Sequence, residues 1–261
     1  MAEINNKSSN NTSWQPVADW YKNVPKSDQG YHKTLIIPGI QRLLSPYLSK
    51  GATVLDLACG EGTVAQSLAK HGYEVTGIDL APDLIKAAKA QYPALKFFVE
   101  DAERLSPEFI KKYTGQFNAV IAVLALQNIT SLFEVFKQVA SLLSEHGLFL
   151  FVINHPSFRI PKASSWGWQG QELQFRMVDR YMSELKQPIT THPGEQDSPV
   201  TWSFHRPLQQ YFKAMQANKF QVLELEEWVS AKRSEPGARA FAENQARKEF
   251  PLFMTILAKK A

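Results

Sequence analysis

From residue 53 to residue 154 the chain alternates short apolar runs with stretches of helical spacing, and this alternation limits the fold more than any other feature. The runs at 53–57, 74–79, 96–99, 117–124 and 147–154 read as strands. One helical stretch follows Gly60-Glu61-Gly62 to about residue 69. A second opens at Pro82 with Leu84, Ile85 and Ala88 on one face, and a third spans 132–143. Strands separated by helices need crossover connections, which make the sheet parallel and put helices on both of its faces. The fourth and fifth runs are apolar nearly throughout, as in strands covered on both sides. The expected fold class is therefore α/β, a doubly wound and mostly parallel sheet.

The remainder of the chain divides around this block. Residues 1–13 form a polar, Asn- and Ser-rich stretch expected to be a disordered tail, and residues 14–50 an N-terminal helical segment. Residues 155–203 mix Pro, Ser, Trp and charge without a clean strand and read as a cap inserted after strand five. A helix at 207–217 and strands at 221–228 and 252–258 follow, with a helix expected between those strands. Residues 51–154 and 204–261 thus form the main domain. A strand pair of this kind at the end suggests that the last strand is reversed.

Composition narrows the function. Cys59 is the only cysteine among the 261 residues, so no intramolecular disulfide and no Cys-based zinc site can form. No other cluster with metal-ligand spacing appears. The net charge of +4 is spread over isolated basic pairs rather than a basic tract, so no nucleic-acid footprint is indicated. No apolar run is long enough to span a membrane, and the N-terminal residues lack the apolar centre of a signal peptide. A cytoplasmic, non-membrane protein is expected, and nothing specifies an oligomeric state.

The segment Val54-Leu55-Asp56-Leu57-Ala58-Cys59-Gly60-Glu61-Gly62-Thr63 carries the strongest chemical signal. Glycines at the tip of a first strand allow a tight turn and close approach of a ligand to the main chain. Gly60-x-Gly62-x-x-Ala65, with Asp79 farther on, also satisfies the loose dinucleotide pattern. Asp56 argues against that reading, because a carboxylate beside the turn repels a pyrophosphate and suits a ligand carrying an amino group. A second acidic site, Glu100-Asp101, closes the third strand.

Together with Gly77-Ile78-Asp79-Leu80-Ala81, Glu100-Asp101-Ala102 and the strand at 117–124, this segment resembles the cofactor motifs of class I S-adenosylmethionine-dependent methyltransferases. The similarity is to the small-molecule subgroup of ubiquinone/menaquinone-biosynthesis type, covers about residues 50–154, and implies a Rossmann-like fold. It implies that Asp56, Ala58, Gly60 and Gly62 surround the methionine part of S-adenosylmethionine. Asp79 would accept hydrogen bonds from both ribose hydroxyls and Leu80 would flank the adenine. Asp101 would meet the adenine amine, the Ala102 amide a ring nitrogen, and Leu124 would cover the ligand. Tyr31, and by the same argument Tyr21, would lie over the cofactor from the N-terminal segment. Where many relatives have Phe-Asp at the start of strand four, this chain has Phe117-Asn118.

The acceptor is expected beyond strands four and five, near Gln127 and Asn128. From the cap, Trp166, Trp168, Arg176 and Tyr181 suggest an aromatic chamber with a few cations, although the same rings suit the cap's own packing. His155, straight after strand five, is the best-placed candidate base, with His32 and His205 behind it. The segment after strand four is not the Asn/Asp-Pro-Pro-aromatic motif of enzymes that methylate nucleic-acid amines, and a two-cysteine mechanism lacks its second cysteine. The expected function is in-line methyl transfer to a small organic molecule, with S-adenosylhomocysteine as product. A protein or RNA methyltransferase and a non-catalytic S-adenosylmethionine-binding module are the alternatives.

Overall fold

A computed structural model describes residues 29–190 and 200–261. The expected tail, Tyr21 and the rest of residues 1–28 lie outside the described residues. A seven-stranded sheet has the order β10-β11-β5-β4-β1-β2-β3, built from β1 (Thr53–Leu57), β2 (Glu74–Asp79), β3 (Lys96–Val99), β4 (Phe117–Val123), β5 (Leu143–Asn154), β10 (Phe220–Trp228) and β11 (Phe253–Lys260). Strands β1 to β5 are parallel, whereas β11 runs antiparallel to both β5 and β10. The α/β sheet with one reversed strand matches the expected architecture.

Alternation along the strands sends successive side chains to opposite faces. Val54, Leu148, Leu150 and Val152 face a layer containing α1 (Ile37–Leu44), α2 (Thr63–Lys70) and α3 (Pro82–Gln91). Leu55, Phe149, Phe151 and Ile153 face the opposite layer, with α4 (Pro107–Tyr113), α5 (Leu132–Leu142) and α6 (Leu208–Ala217). The apolar runs of β4 and β5 follow directly from this double cover.

Ahead of α1, Gln29–Tyr31 is helical and His32–Ile36 is a π-type turn, closed by the Ile37 amide on the His32 carbonyl. Pro38 removes a backbone donor at the start of α1. Helix α4 was absent from the sequence reading, although Ser106-Pro107 is a start signal. The Ser106 Oγ accepts the Phe109 amide at 3.2 Å and Pro107 sits in the first turn.

The region 155–203 holds strands after all. Strands β6 (Ser164–Gln169) and β7 (Leu173–Val178) form one antiparallel hairpin. Strands β8 (Leu185–Thr190) and β9 (Val200–His205) form a second pair. Strands β6 and β7 are half-exposed and show no apolar alternation, Pro188 inside β8 argues against a strand, and β9 buries its polar side, Thr201, Ser203 and His205. Helix α7 (Ala240–Glu249) packs near β7 and occupies the expected place between β10 and β11. Among the described residues, no helix is long and apolar enough to cross a membrane.

Candidate active site

The carboxyl ends of β1, β2 and β3 open into a cavity of about 610 Å³, a volume in the range that holds small molecules and cofactors. Its acidic wall is built by main-chain geometry. Ala58 and Gly60 adopt left-handed φ of 58° and 55°, which turns the chain sharply off β1 and brings its backbone to the cavity. Gly62, at φ 80°, starts α2 from behind the wall and does not line the cavity. A Cβ there would stand 2.7 Å from the Phe97 ring.

Asp56 is 1% exposed, and its Oδ2 has no hydrogen-bond partner among the described residues. Burial pushes its carboxyl up to about 8; the Ala65 amide opposes the shift and neighbouring Asp79 adds to it. Asp79 ends β2 and accepts the Gly60 amide on Oδ2 and the Ala81 amide on Oδ1, both at 2.9 Å. Burial raises its carboxyl and these amides counter it. Asp101 accepts the Glu103 amide at 2.9 Å, which holds Ala102 at the wall between them. Leu80 is 42% exposed and lines the same space.

The opposite wall comes from the N-terminal helical segment and from the turns after β4 and β5. Tyr31, His32 and Lys33 line it, as do Leu124, Asn128, Asn154 and Arg159. Tyr31 is fixed by its hydroxyl on the Ser230 Oγ at 2.9 Å and by edge contact with Phe253. Leu124 sits at φ 51°, and its carbonyl accepts the side-chain amides of Gln127 at 2.8 Å and Asn128 at 3.2 Å. Arg206 secures this turn from below, donating to the carbonyls of Leu126, Ile129 and Thr130.

Several residues singled out from sequence stand elsewhere. His155 is buried outside the cavity wall. Its Nε2 bonds Glu227 Oε1 at 2.6 Å, and its Nδ1 faces the amides of Ser157 and Phe158 at 3.2 and 3.3 Å. With both nitrogens engaged it anchors the turn after β5 and has no free position for a substrate proton. His205 bonds the Tyr181 carbonyl at 2.8 Å, away from the cavity. His32 does line the cavity, and burial lowers its pKa, which keeps the imidazole neutral.

The aromatic chamber does not form. Trp166 packs edge-on against Phe250 under the Arg176 guanidinium, and Trp168 lies under Arg239. Arg176 donates from β7 to the Phe158 carbonyl and to Ser164 Oγ. The Tyr181 hydroxyl accepts the Leu208 amide at 3.0 Å, and Gln127 is buried behind the turn. These side chains serve the cap's packing. Arg159 and Glu103 were missed. Neither falls in a motif, and only the rule that ligands sit beyond the strand ends pointed to their loops.

A family model described as a methyltransferase domain matches residues 29–224, most of the chain. The chain belongs to that family. Among relatives of this chain, a ubiquinone biosynthesis O-methyltransferase of Xanthomonas oryzae is 33% identical over 131 residues, 50% of this chain and 53% of that protein. A putative methyltransferase of Bacillus subtilis, YqeM, is 30% identical over 49% of this chain and 53% of its own length. The chain spans about half the length of the curated relatives that it matches. A solved structure of a putative S-adenosylmethionine-dependent methyltransferase from Listeria monocytogenes superposes with a TM-score of 0.66 at 27% identity, covering 86% of this chain and 99% of that one.

S-adenosylmethionine is the cofactor of this methyltransferase class, and the cavity suits it. The unpartnered Asp56 oxygen offers a buried acceptor to an ammonium group. A pyrophosphate, by contrast, would meet three carboxylates, Asp56, Asp79 and Asp101, at the strand tips.

Proposed function

We propose that this chain transfers a methyl group from S-adenosylmethionine to a small organic molecule by in-line displacement. The observation that carries the reading is the orphaned Asp56 oxygen in a cavity rimmed by Gly60, Asp79 and Asp101. Asp56 would hold the cofactor's ammonium group, with the main chain at Ala58 and Gly60 against its methionine part. Asp79 would take the ribose hydroxyls on the lone pairs its two amide partners leave open. Asp101 and the Ala102 amide would meet the adenine, with Leu80 and Leu124 as apolar covers. When bound, the cofactor supplies a methyl group activated on a sulfonium.

The chain's own work is to orient the partners and keep water out. Tyr31, Leu124 and Phe253 wall the space beside the cofactor's place. Asn128 offers a polar contact there. His32, neutral at pH 7, would take the proton of an acceptor that begins as a hydroxyl. The walled cavity and the O-methyltransferase name carried by relatives favour a small acceptor over a macromolecule.

Calorimetry should show binding of S-adenosylmethionine and none of NAD. Incubation with cell extracts should release S-adenosylhomocysteine and label a small product. Label confined to protein or RNA would displace the small-molecule reading. Binding without any acceptor would leave only a binding module. Asp79→Ala should weaken S-adenosylmethionine binding by about 1.5–3 kcal/mol, the loss of a charge-assisted hydrogen-bond acceptor. Unchanged affinity would remove Asp79 from the ribose role.

A further inference from the structure

The cavity is segregated by charge. Asp56, Asp79, Asp101 and Glu103 stand on the side of β1 to β3, whereas Lys33 and Arg159 enter from the other side. Of the two cations, Arg159 stands on the anchored turn after β5. Its amide donates to the His155 carbonyl at 2.9 Å. His155 is itself locked on Glu227 and stacked on Phe158 at 4.7 Å between ring centroids.

The side chain differs from the other arginines nearby. Arg176 is committed to Phe158 and Ser164, and Arg206 to three carbonyls. Among the described residues the Arg159 guanidinium has no hydrogen bond and no ion pair. It is accessible to a ligand. It lies near Tyr31 over the cavity and close enough to Arg176 for the two cations to repel. Arg176 cannot retreat, because both of its hydrogen bonds pin it. An unpaired guanidinium beside a second cation, with five donors and no acceptor, is stabilised most by an oxyanion that takes two of them at once.

We infer that Arg159 receives a carboxylate or phosphate of the methyl acceptor, so that the acceptor is a small organic acid whose accepting atom lies between that anion and the cofactor. The inference rests on the methyltransferase reading of the same cavity. It also accounts for the charge segregation, since an anion placed near the carboxylates of β1 to β3 would be repelled.

Calorimetric titration of the chain saturated with S-adenosylhomocysteine tests it with matched probes: benzoate and phenyl phosphate against benzamide, and hexanoate against hexanamide. At least one acid should bind ten-fold or more tightly than its neutral partner, and the stronger of benzoate and phenyl phosphate identifies the anion. In Arg159→Gln the acid should fall to within two-fold of the amide. Arg159→Lys should keep part of the preference, which separates lost charge from lost folding. Acids and amides that bind alike, acids that do not bind, or a preference that survives in Arg159→Gln would each overturn the assignment. The S-adenosylhomocysteine titration is read first. A chain that does not bind it loses both readings, whereas tight binding without acid preference removes only the role of Arg159.

Discussion

A carboxyl group buried as deeply as Asp56 works against the fold that buries it. Its folded pKa of about 8 lies above the ordinary aspartate value. Between those two values the unfolded chain sheds a proton that the folded chain keeps, so stability falls as pH rises through that window. Asp56→Asn should therefore be more stable than the natural chain, by on the order of 2 kcal/mol at pH 8. That advantage should shrink towards pH 4, and differential scanning calorimetry across the range reads it directly. The same substitution should cost ten-fold or more in S-adenosylmethionine affinity. Ala58, two residues on, pays for its left-handed φ of 58° with steric strain of about 1 kcal/mol. Ala58→Gly should stabilise the fold by about 0.5–1 kcal/mol in urea titrations. The acidic residues were legible in the sequence because each lies within two residues of a strand's carboxyl end, where the ends of parallel strands meet the cavity. Arg159 and Glu103 were not, since they lie on turns whose direction depends on long-range partners such as Glu227 and Ser131.

The elements that cover the cavity owe their shape to polar anchors more than to periodicity. The turn after β4 is the clearest case. Arg206 is 6% exposed and meets three of its carbonyls, so it replaces hydrogen bonds that a short 3-10 turn cannot make for itself. Arg206→Met would fill much of the same volume yet leave those carbonyls without donors. A loss of about 2–4 kcal/mol is expected in chemical denaturation, together with weaker S-adenosylhomocysteine binding as Leu124 and Asn128 shift. Such anchors explain where reading by pattern fails. Strands β1 to β5, α2, α3 and α5 follow from apolar spacing. The hairpins β6–β7 and β8–β9 do not: β6–β7 is held by cross-strand pairing and by rings under cations, and the face that β9 buries carries Thr201, Ser203 and His205 rather than apolar side chains. His155 was read as a reactive group for the same reason: its place after β5 was visible, but its partner 72 residues away was not.

At the scale of the whole molecule, the sheet joins two unequal parts. Strands β1 to β5 form a parallel half whose widest pairing, β1 with β4, joins Val54 to Ala119, and the cavity's acidic wall lies entirely within it. The antiparallel half depends on β11, which reaches back 99 residues or more to pair with β5 at Phe253↔Asn154 and beyond. Distant pairings of this kind close large loops and form late. Because β11 lies between β5 and β10, the latter has no neighbour in the sheet until β11 arrives. During refolding, pulse-labelling hydrogen exchange should therefore protect the amides of β10 and β11 in a single phase, after those of β1 and β4. Simultaneous protection of all seven strands would contradict this order. The seam between β5 and β11 is then a place of temporary exposure: a partly folded chain would carry an open, apolar strand edge along β5, the natural target for a chaperone or for a second unfinished copy.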